Sequence, residues 1–194
     1  MLRDTMKNHA KLSIAVGTVL SIGGALGGYA AYLQAVGNFH TVIEGQLYRS
    51  AQPTPAQLDA YVKDHGIKTI INLRGEKQNA AWYQAEIRTA AELGVEHIDF
   101  AMSASRKLTP DRADEIVAIM AAAPKPILVH CQSGSDRTGL VSAIYTDRIA
   151  GEGEDRAERQ LSFYYGHVAL PLISAAWPMD ASWEDLEAHF ERKG

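Results

Sequence analysis

The sequence contains a single cysteine, Cys131, so no disulfide can close within the chain and no cysteine-rich zinc site can be built. It also lacks a basic excess. The formal net charge is -4, which offers no broad cationic surface to a polyanion, and nucleic acid is not an expected partner. No internal repeat, low-complexity tract or interdomain linker divides the part of the chain after the N-terminal segment, and 194 residues suffice for one domain with a proper core. The lone cysteine must then be explained by packing or by reactivity.

Charge is missing locally as well. Arg3, Lys7 and Lys11 are followed by no Asp, Glu, Lys or Arg until Glu44. Leu12 to Leu33 has the length of about 20 residues that spans a bilayer as a helix, although its many Gly and Ala residues make it only moderately apolar. It reads as an uncleaved signal anchor or as a signal peptide cleaved near Gly28-Tyr29-Ala30; its length and the apolar Tyr32 and Leu33 favour the anchor. Basic residues precede the segment and none follows closely, so the positive-inside rule places the rest of the chain outside the cytoplasm, on the periplasmic side in a bacterium. Gly23, Gly24, Gly27 and Gly28 have the small-xxx-small spacing through which two membrane helices can dimerise.

Past a connecting stretch, Thr54-Pro55-Ala56-Gln57 predicts a helix start: a capping Thr, Pro at the first helical position and Gln three residues after the cap. Gly66 is its stop signal. The run from Ile67 to Leu73 is rich in β-branched residues and bounded by Gly66 and Gly75, as a buried strand would be. A second helix is predicted from about Ala80 to Leu93, with Gly94 behind it. Val95 to Phe100 alternates apolar and polar residues, Thr109-Pro110 opens another helix, and Pro126 to His130 is a short apolar strand. The remainder reads as helices interrupted near Pro171 and Pro178. Strands alternating with helices predict an α/β fold, a mostly parallel central sheet flanked by helices, preceded here by the one transmembrane helix. Ligands of such sheets bind beyond the carboxyl ends of the strands.

The stretch Ile127-Leu128-Val129-His130-Cys131-Gln132-Ser133-Gly134-Ser135-Asp136-Arg137-Thr138-Gly139 sits at such an end. A strand runs into a small polar loop and then into a helix. The backbone N–H groups of Gln132, Ser133, Gly134, Ser135, Asp136 and Arg137 can turn inward as an anion nest with the positive end of the following helix behind them. Gly134 permits a backbone geometry closed to other residues, and the Arg137 guanidinium can hold two phosphate oxygens at once. The same field favours a thiolate, which makes Cys131 a nucleophile able to attack phosphorus and form a phosphocysteine that water then hydrolyses. Thr138 is placed to hydrogen-bond the departing thiolate.

His-Cys-x5-Arg-Thr-Gly between a strand and a helix resembles the signature loop of the protein tyrosine phosphatase superfamily. Leu47-Tyr48-Arg49-Ser50-Ala51-Gln52-Pro53 and Ile71-Asn72-Leu73-Arg74 resemble stretches of its bacterial dual-specificity-like members. The resemblance implies a cysteine-based phosphatase domain over residues 38–194; the segment before it reads as a cytoplasmic tip and transmembrane signal anchor over residues 1–37. It implies Cys131 as nucleophile, Arg137 as phosphate clamp, no metal, no organic cofactor, and phosphotyrosine, phosphoserine or phosphothreonine proteins as partners. The match fails at the general acid, because Ser105 stands about where the mobile-loop Asp of that group would fall. Two carboxylates could replace it. Asp136 resembles the Asp that precedes the signature Arg in myotubularins, and Asp99, at a strand end, is the alternative acid.

Other residues are expected to play structural parts. His130 is expected to be a satisfied structural histidine, Arg49, Arg74 and Arg106 to be surface ion-pair partners, and Trp82-Tyr83 and Tyr164-Tyr165-Gly166-His167 to be core rather than the mouth of the site. Two further functions fit the same loop. An anchored enzyme could act on a lipid-linked phosphate, and a loop without a mobile-loop Asp could serve a non-catalytic phosphate-binding module. A sulfurtransferase or arsenate reductase also uses a cysteine anion loop, but arsenate reduction normally needs resolving cysteines, and none is present.

Overall fold

The computed structural model describes residues 2–171 and 174–192. After a long helix, α1 (Leu2–Ala35), come strands β1 (His40–Ile43) and β2 (Leu47–Ser50), helix α2 (Pro55–His65), β3 (Thr69–Asn72), α3 (Ala81–Leu93), β4 (Glu96–Asp99), α4 (Pro110–Ala122), β5 (Ile127–His130), α5 (Asp136–Arg148), α6 (Glu154–Glu158) and α7 (Trp177–Glu191). The strands form one sheet in the order β1-β2-β5-β3-β4, parallel except for β1.

Local chemistry accounts for most element boundaries. Thr54 accepts from the Gln57 amide while the Gln57 side chain returns to the Thr54 amide, the predicted capping box, and Gly66 and Gly94 end α2 and α3 in the left-handed conformation. The Thr109 side chain caps α4 ahead of Pro110. Pro178 does not interrupt a helix but lies in the first turn of α7, where a missing N–H costs nothing. The connecting stretch conceals β1 and β2, whose register shifts between Thr41 and Ile43; such an irregular antiparallel pair blurs the alternation that would have marked it.

Strands β2, β3 and β5 are buried on both faces. Tyr48, Ile70 and Leu128 pack with Leu58, Ile67, Ala90 and Val95 on the α2 and α3 side. Leu47, Ile71, Ile127 and Val129 face a larger core completed by α4, α5 and α7 through residues such as Ile116, Met120, Leu140, Ile144, Met179 and Leu186. Residues Thr138 to Thr146 of α5 are all buried, so the helix that follows the signature loop is wedged between sheet and outer helices. Register aligns Ser50, His130 and Asn72, and Asn72 with Asp99. The loop after β5 therefore opens at the carboxyl edge of the sheet, as expected.

The N-terminal expectation is overturned. Leu2–Ala35 is helical, but among the described residues no helix is long and apolar enough to cross a membrane. The physical reason is composition: glycine and alanine contribute little transfer free energy, so lack of charge does not amount to hydrophobicity. The last turns of α1 also engage the rest of the chain. Leu33 is buried, the Tyr29 hydroxyl donates to the Tyr164 carbonyl at 2.6 Å, and Tyr29 packs on the Phe163 ring. The transmembrane helix, the membrane partner, the signal-anchor assignment, the orientation outside the cytoplasm and the lipid-linked substrate that depended on them are corrected accordingly. The side chains of Arg3, Lys7 and Lys11 lie outside the described residues. Dimerisation through Gly23, Gly24, Gly27 and Gly28 presupposed a bilayer; a Cβ on any of them would meet no atom within 4 Å.

Docking of this helix end has a measurable energetic signature. Leu33→Ala should lower stability by about 2 kcal/mol, the low end for large-to-small core changes. Leu26→Ala, at a residue 47% exposed, should stay within about 0.5 kcal/mol of the parent. Urea unfolding of the two variants beside the parent measures both.

Candidate active site

Cys131 directly follows β5 and is 1% exposed. The Gly134 amide points at its Sγ, 3.3 Å away. Gly134 has φ +74°, and a Cβ there would lie 2.6 Å from the Ala51 nitrogen and 2.7 Å from the Ser50 carbonyl carbon, so both conformation and space demand glycine.

The carbonyls explain why the loop faces its amides inward. Gln132 O accepts from the Gln52 amide. Ser133 O accepts from Asn38 Nδ2 at 2.9 Å and Gln34 Nε2 at 3.2 Å. Gly134 O and Ser135 O both accept from Arg49 Nη2, at 2.9 and 3.2 Å. Four successive carbonyls are thus tied from outside the loop, which leaves the opposite faces of these peptides to form the nest.

Arg49 is therefore no surface residue. It is fully buried, its Nη1 donates to the main-chain and side-chain oxygens of Gln160, and its guanidinium lies over the Tyr165 ring at 3.8 Å. Burial pulls its pKa down to about 10, against the pull of Tyr165, Cys131 and Asp136, so it remains cationic at neutral pH. Arg74 is half-buried, stacks on Trp82 at 3.5 Å and donates to Gln52 Oε1. Burial lowers its pKa and Arg137 nearby lowers it further, while Glu86 and Cys131 pull it up, so Arg74 lies within electrostatic reach of the cysteine. Arg106 is exposed. Arg137 Nη1 donates to the Leu73 and Met102 carbonyls, each at 3.3 Å, while its buried Nε has no hydrogen-bond partner. Thr138 Oγ1 is buried and unpartnered, so the hydrogen bond expected between it and the sulfur is not made here.

Two histidine–carboxylate networks flank the loop, and local sequence signals neither. Behind it, Glu86 of α3, 2% exposed, meets His97 Nε2 at 2.7 Å and accepts from Gln52. His130 Nε2 lies 3.2 Å from the same Glu86 oxygen, an ion-pair distance without hydrogen-bond alignment. Burial pushes the Glu86 carboxyl up, but His130 and His97 outweigh it and bring the pKa down to about 2. In front, Asp136 Oδ1 meets His167 Nδ1 at 2.8 Å, and His167 Nε2 meets Asp180 Oδ2 at 2.8 Å. Asp136 and Arg137 line a cleft of about 510 Å³ with Ser103, Ser105, Gly166 and Val168. Asp99 is placed differently: its oxygens accept from Asn72 Nδ2 at 2.8 Å and the Tyr83 hydroxyl at 2.5 Å. It ends β4, two strands from β5 in the sheet order, roughly 10 Å away at the usual strand spacing. Of the two candidate acids, Asp136 is the one on the cleft.

These arrangements are testable by substitution. Arg49→Lys keeps the charge but loses the fork and the stack, and should cost roughly 2 kcal/mol of stability and weaken binding of inorganic phosphate more than tenfold, measured by calorimetry. Glu86 has a folded pKa below its unfolded value of 4.5, so its contribution is fully present above pH 4.5 and is lost as pH falls towards 2. The stability gap between parent and Glu86→Gln should be on the order of 3 kcal/mol at pH 6 and close as acid is added, read by urea unfolding.

Residues 34–167 match a family described as "DSP-PTPase phosphatase fused to NAD+ Kinase". Two curated relatives, both named dual specificity protein phosphatase TpbA and belonging to two strains of Pseudomonas aeruginosa, are 32% identical over 117 residues, 57% of this chain and 46% of theirs. The chain thus spans about half the length of the curated relatives it matches. Among solved structures, P. aeruginosa TpbA has a TM-score of 0.61 at 21% identity, covering 78% of this chain and 86% of that one. The core catalytic domain of the PP-IP phosphatase SIW14 of Saccharomyces cerevisiae, in complex with citrate, has a TM-score of 0.60 at 20% identity, covering 80% and 91%. At such identities the likeness establishes the fold.

Proposed function

The chain belongs to the DSP-PTPase phosphatase family, and on that premise we propose that it hydrolyses phosphomonoesters of proteins through a phosphocysteine intermediate. The Cys131 thiolate attacks phosphorus as the bond to the leaving oxygen breaks, and Asp136 supplies the proton that oxygen needs. Water then attacks the phosphocysteine, gives a proton to Asp136 and releases the thiolate with inorganic phosphate. The nest from Gln132 to Arg137 holds the equatorial oxygens throughout, with Arg137 as the charged clamp.

One observation carries this reading: four loop carbonyls are tied outward around Cys131, while Arg137 keeps a buried, unpartnered Nε. The loop is thereby preorganised for a tetrahedral anion at the sulfur. Because Cys131 is 1% exposed, a phosphate must project from its carrier to reach it, which suits a phosphorylated side chain. A dual-specificity phosphatase among the relatives agrees with a phosphoprotein substrate.

The test is hydrolysis of p-nitrophenyl phosphate in the presence of a metal chelator. Activity should persist in the parent and be lost in Cys131→Ser; retention by that variant would overturn the cysteine mechanism, and inactivity of both would turn the reading towards phosphate binding without catalysis. Asp136→Asn should slow alkyl phosphates by about 10²-fold or more and nitrophenyl phosphate much less, since nitrophenolate departs without a proton. Equal losses on both esters would remove Asp136 as the acid.

A further inference from the structure

Asp136 does not stand alone on the cleft. Its Oδ1 meets His167 Nδ1 at 2.8 Å, and the other ring nitrogen meets Asp180 Oδ2 at 2.8 Å. Ionised carboxylates only accept hydrogen bonds, so an imidazole bonded to two of them donates from both nitrogens and is an imidazolium. His167 is buried, at 4% exposure, on the segment just past the short 3-10 helix Phe163–Tyr165, and Asp180 comes from the first turn of α7. Three separate segments thus converge on one proton-holding group at the edge of the cleft.

We propose that the proton donor of the reaction is the Asp136–His167 pair rather than the Asp136 carboxyl alone, with His167 a positioning residue that stores the proton and Asp180 the group that orients and charges His167. This rests on the phosphatase reading above. The pair shares one dissociable proton between Oδ1 and Nδ1. When the bond from phosphorus to the leaving oxygen breaks, that proton departs through Asp136 to the leaving oxygen, and His167 is left neutral with its Nε2 hydrogen still on Asp180. Water attacking the phosphocysteine returns a proton by the same route as the P–S bond breaks.

The carboxylates on either side of His167 agree with this assignment. Burial alone would lower the His167 pKa, but Asp136 and Asp180 outweigh it and raise it above the ordinary 6.5. Facing the pair are two cations whose charge works against the extra proton, Arg137 on the same cleft and Arg49 of β2, which lies within electrostatic reach of Asp136; the two carboxylates in direct contact with His167 are closer partners. The pair thus holds its proton to higher pH than a free imidazole does. That is how a chain with Ser105 in the mobile-loop position can still protonate a poor leaving group.

The experiment is kcat against pH for the full chain on an alkyl phosphate and on p-nitrophenyl phosphate, with parent, His167→Gln, Asp180→Asn and Cys131→Ser. For the alkyl ester the parent's activity should fall on the alkaline side with a midpoint above 6.5, because the protonated pair is lost as pH rises. In His167→Gln that midpoint should move down by more than about one pH unit and kcat at pH 7.5 should drop about 10²-fold, while the nitrophenyl ester loses less than about fivefold. Asp180→Asn should move the midpoint in the same direction by less, which keeps the test decisive if His167→Gln does not fold. An alkaline limb that is unmoved in the folded variants, or equal losses on both esters, overturns the pair. Activity surviving in Cys131→Ser would instead overturn the phosphatase reading beneath it.

Discussion

A guanidinium buried without compensation costs several kcal/mol, and the loop after β5 is built around one whose Nη donors are bonded while its Nε has no partner. Arg49 spends its Nη donors on Gly134 O, Ser135 O and both Gln160 oxygens, and lays its plane on Tyr165. Each of those bonds satisfies a donor that water can no longer reach, and the two to Gly134 O and Ser135 O also fix carbonyls of the loop on the side away from the sulfur. Without that brace the peptides of the loop would be free to turn an oxygen towards an incoming phosphate, and the nest would repel what it is meant to hold.

The other contacts around the loop extend this constraint. Asn38, whose φ of 45° is tolerated by an amide side chain in the left-handed region, spans Ser133 O and Tyr165 O. It thereby links the loop to the segment that carries His167. Gln34 adds a second bond to Ser133 O from the last turn of α1. The end of α1 is consequently continuous with the walls of the site. Glu86 meanwhile couples α3 to His97 on β4 and to His130 immediately before Cys131, so a buried ionic cluster backs the strand that leads into the loop.

The fold was legible wherever the code is local. Thr54 with Gln57, Gly66, Gly94 and Thr109 before Pro110 each act on the backbone within a few residues, and each does in the structure what its residue type requires. The antiparallel β1 and β2 pair was not legible, because its register slips between Thr41 and Ile43. The N-terminal segment misled for a different reason: its length and lack of charge match a span, but glycine and alanine bury too little surface to make one.

What the sequence by itself determined was the chemistry of one loop. Cys131, Gly134 and Arg137 lie within seven consecutive residues, strand before and helix after, and that spacing suffices to propose an anion nest with a nucleophile at its base. Only the tertiary structure decided which distant side chains would serve it. Arg49, expected on the surface, is the brace; Asp136 rather than Asp99 reaches the cleft; and His167, expected in an aromatic core stretch, sits between two carboxylates. These partners are separated from the loop by 31 to 86 residues. No local propensity encodes such meetings, because they follow from sheet register and from the packing of α5 between the sheet and α7.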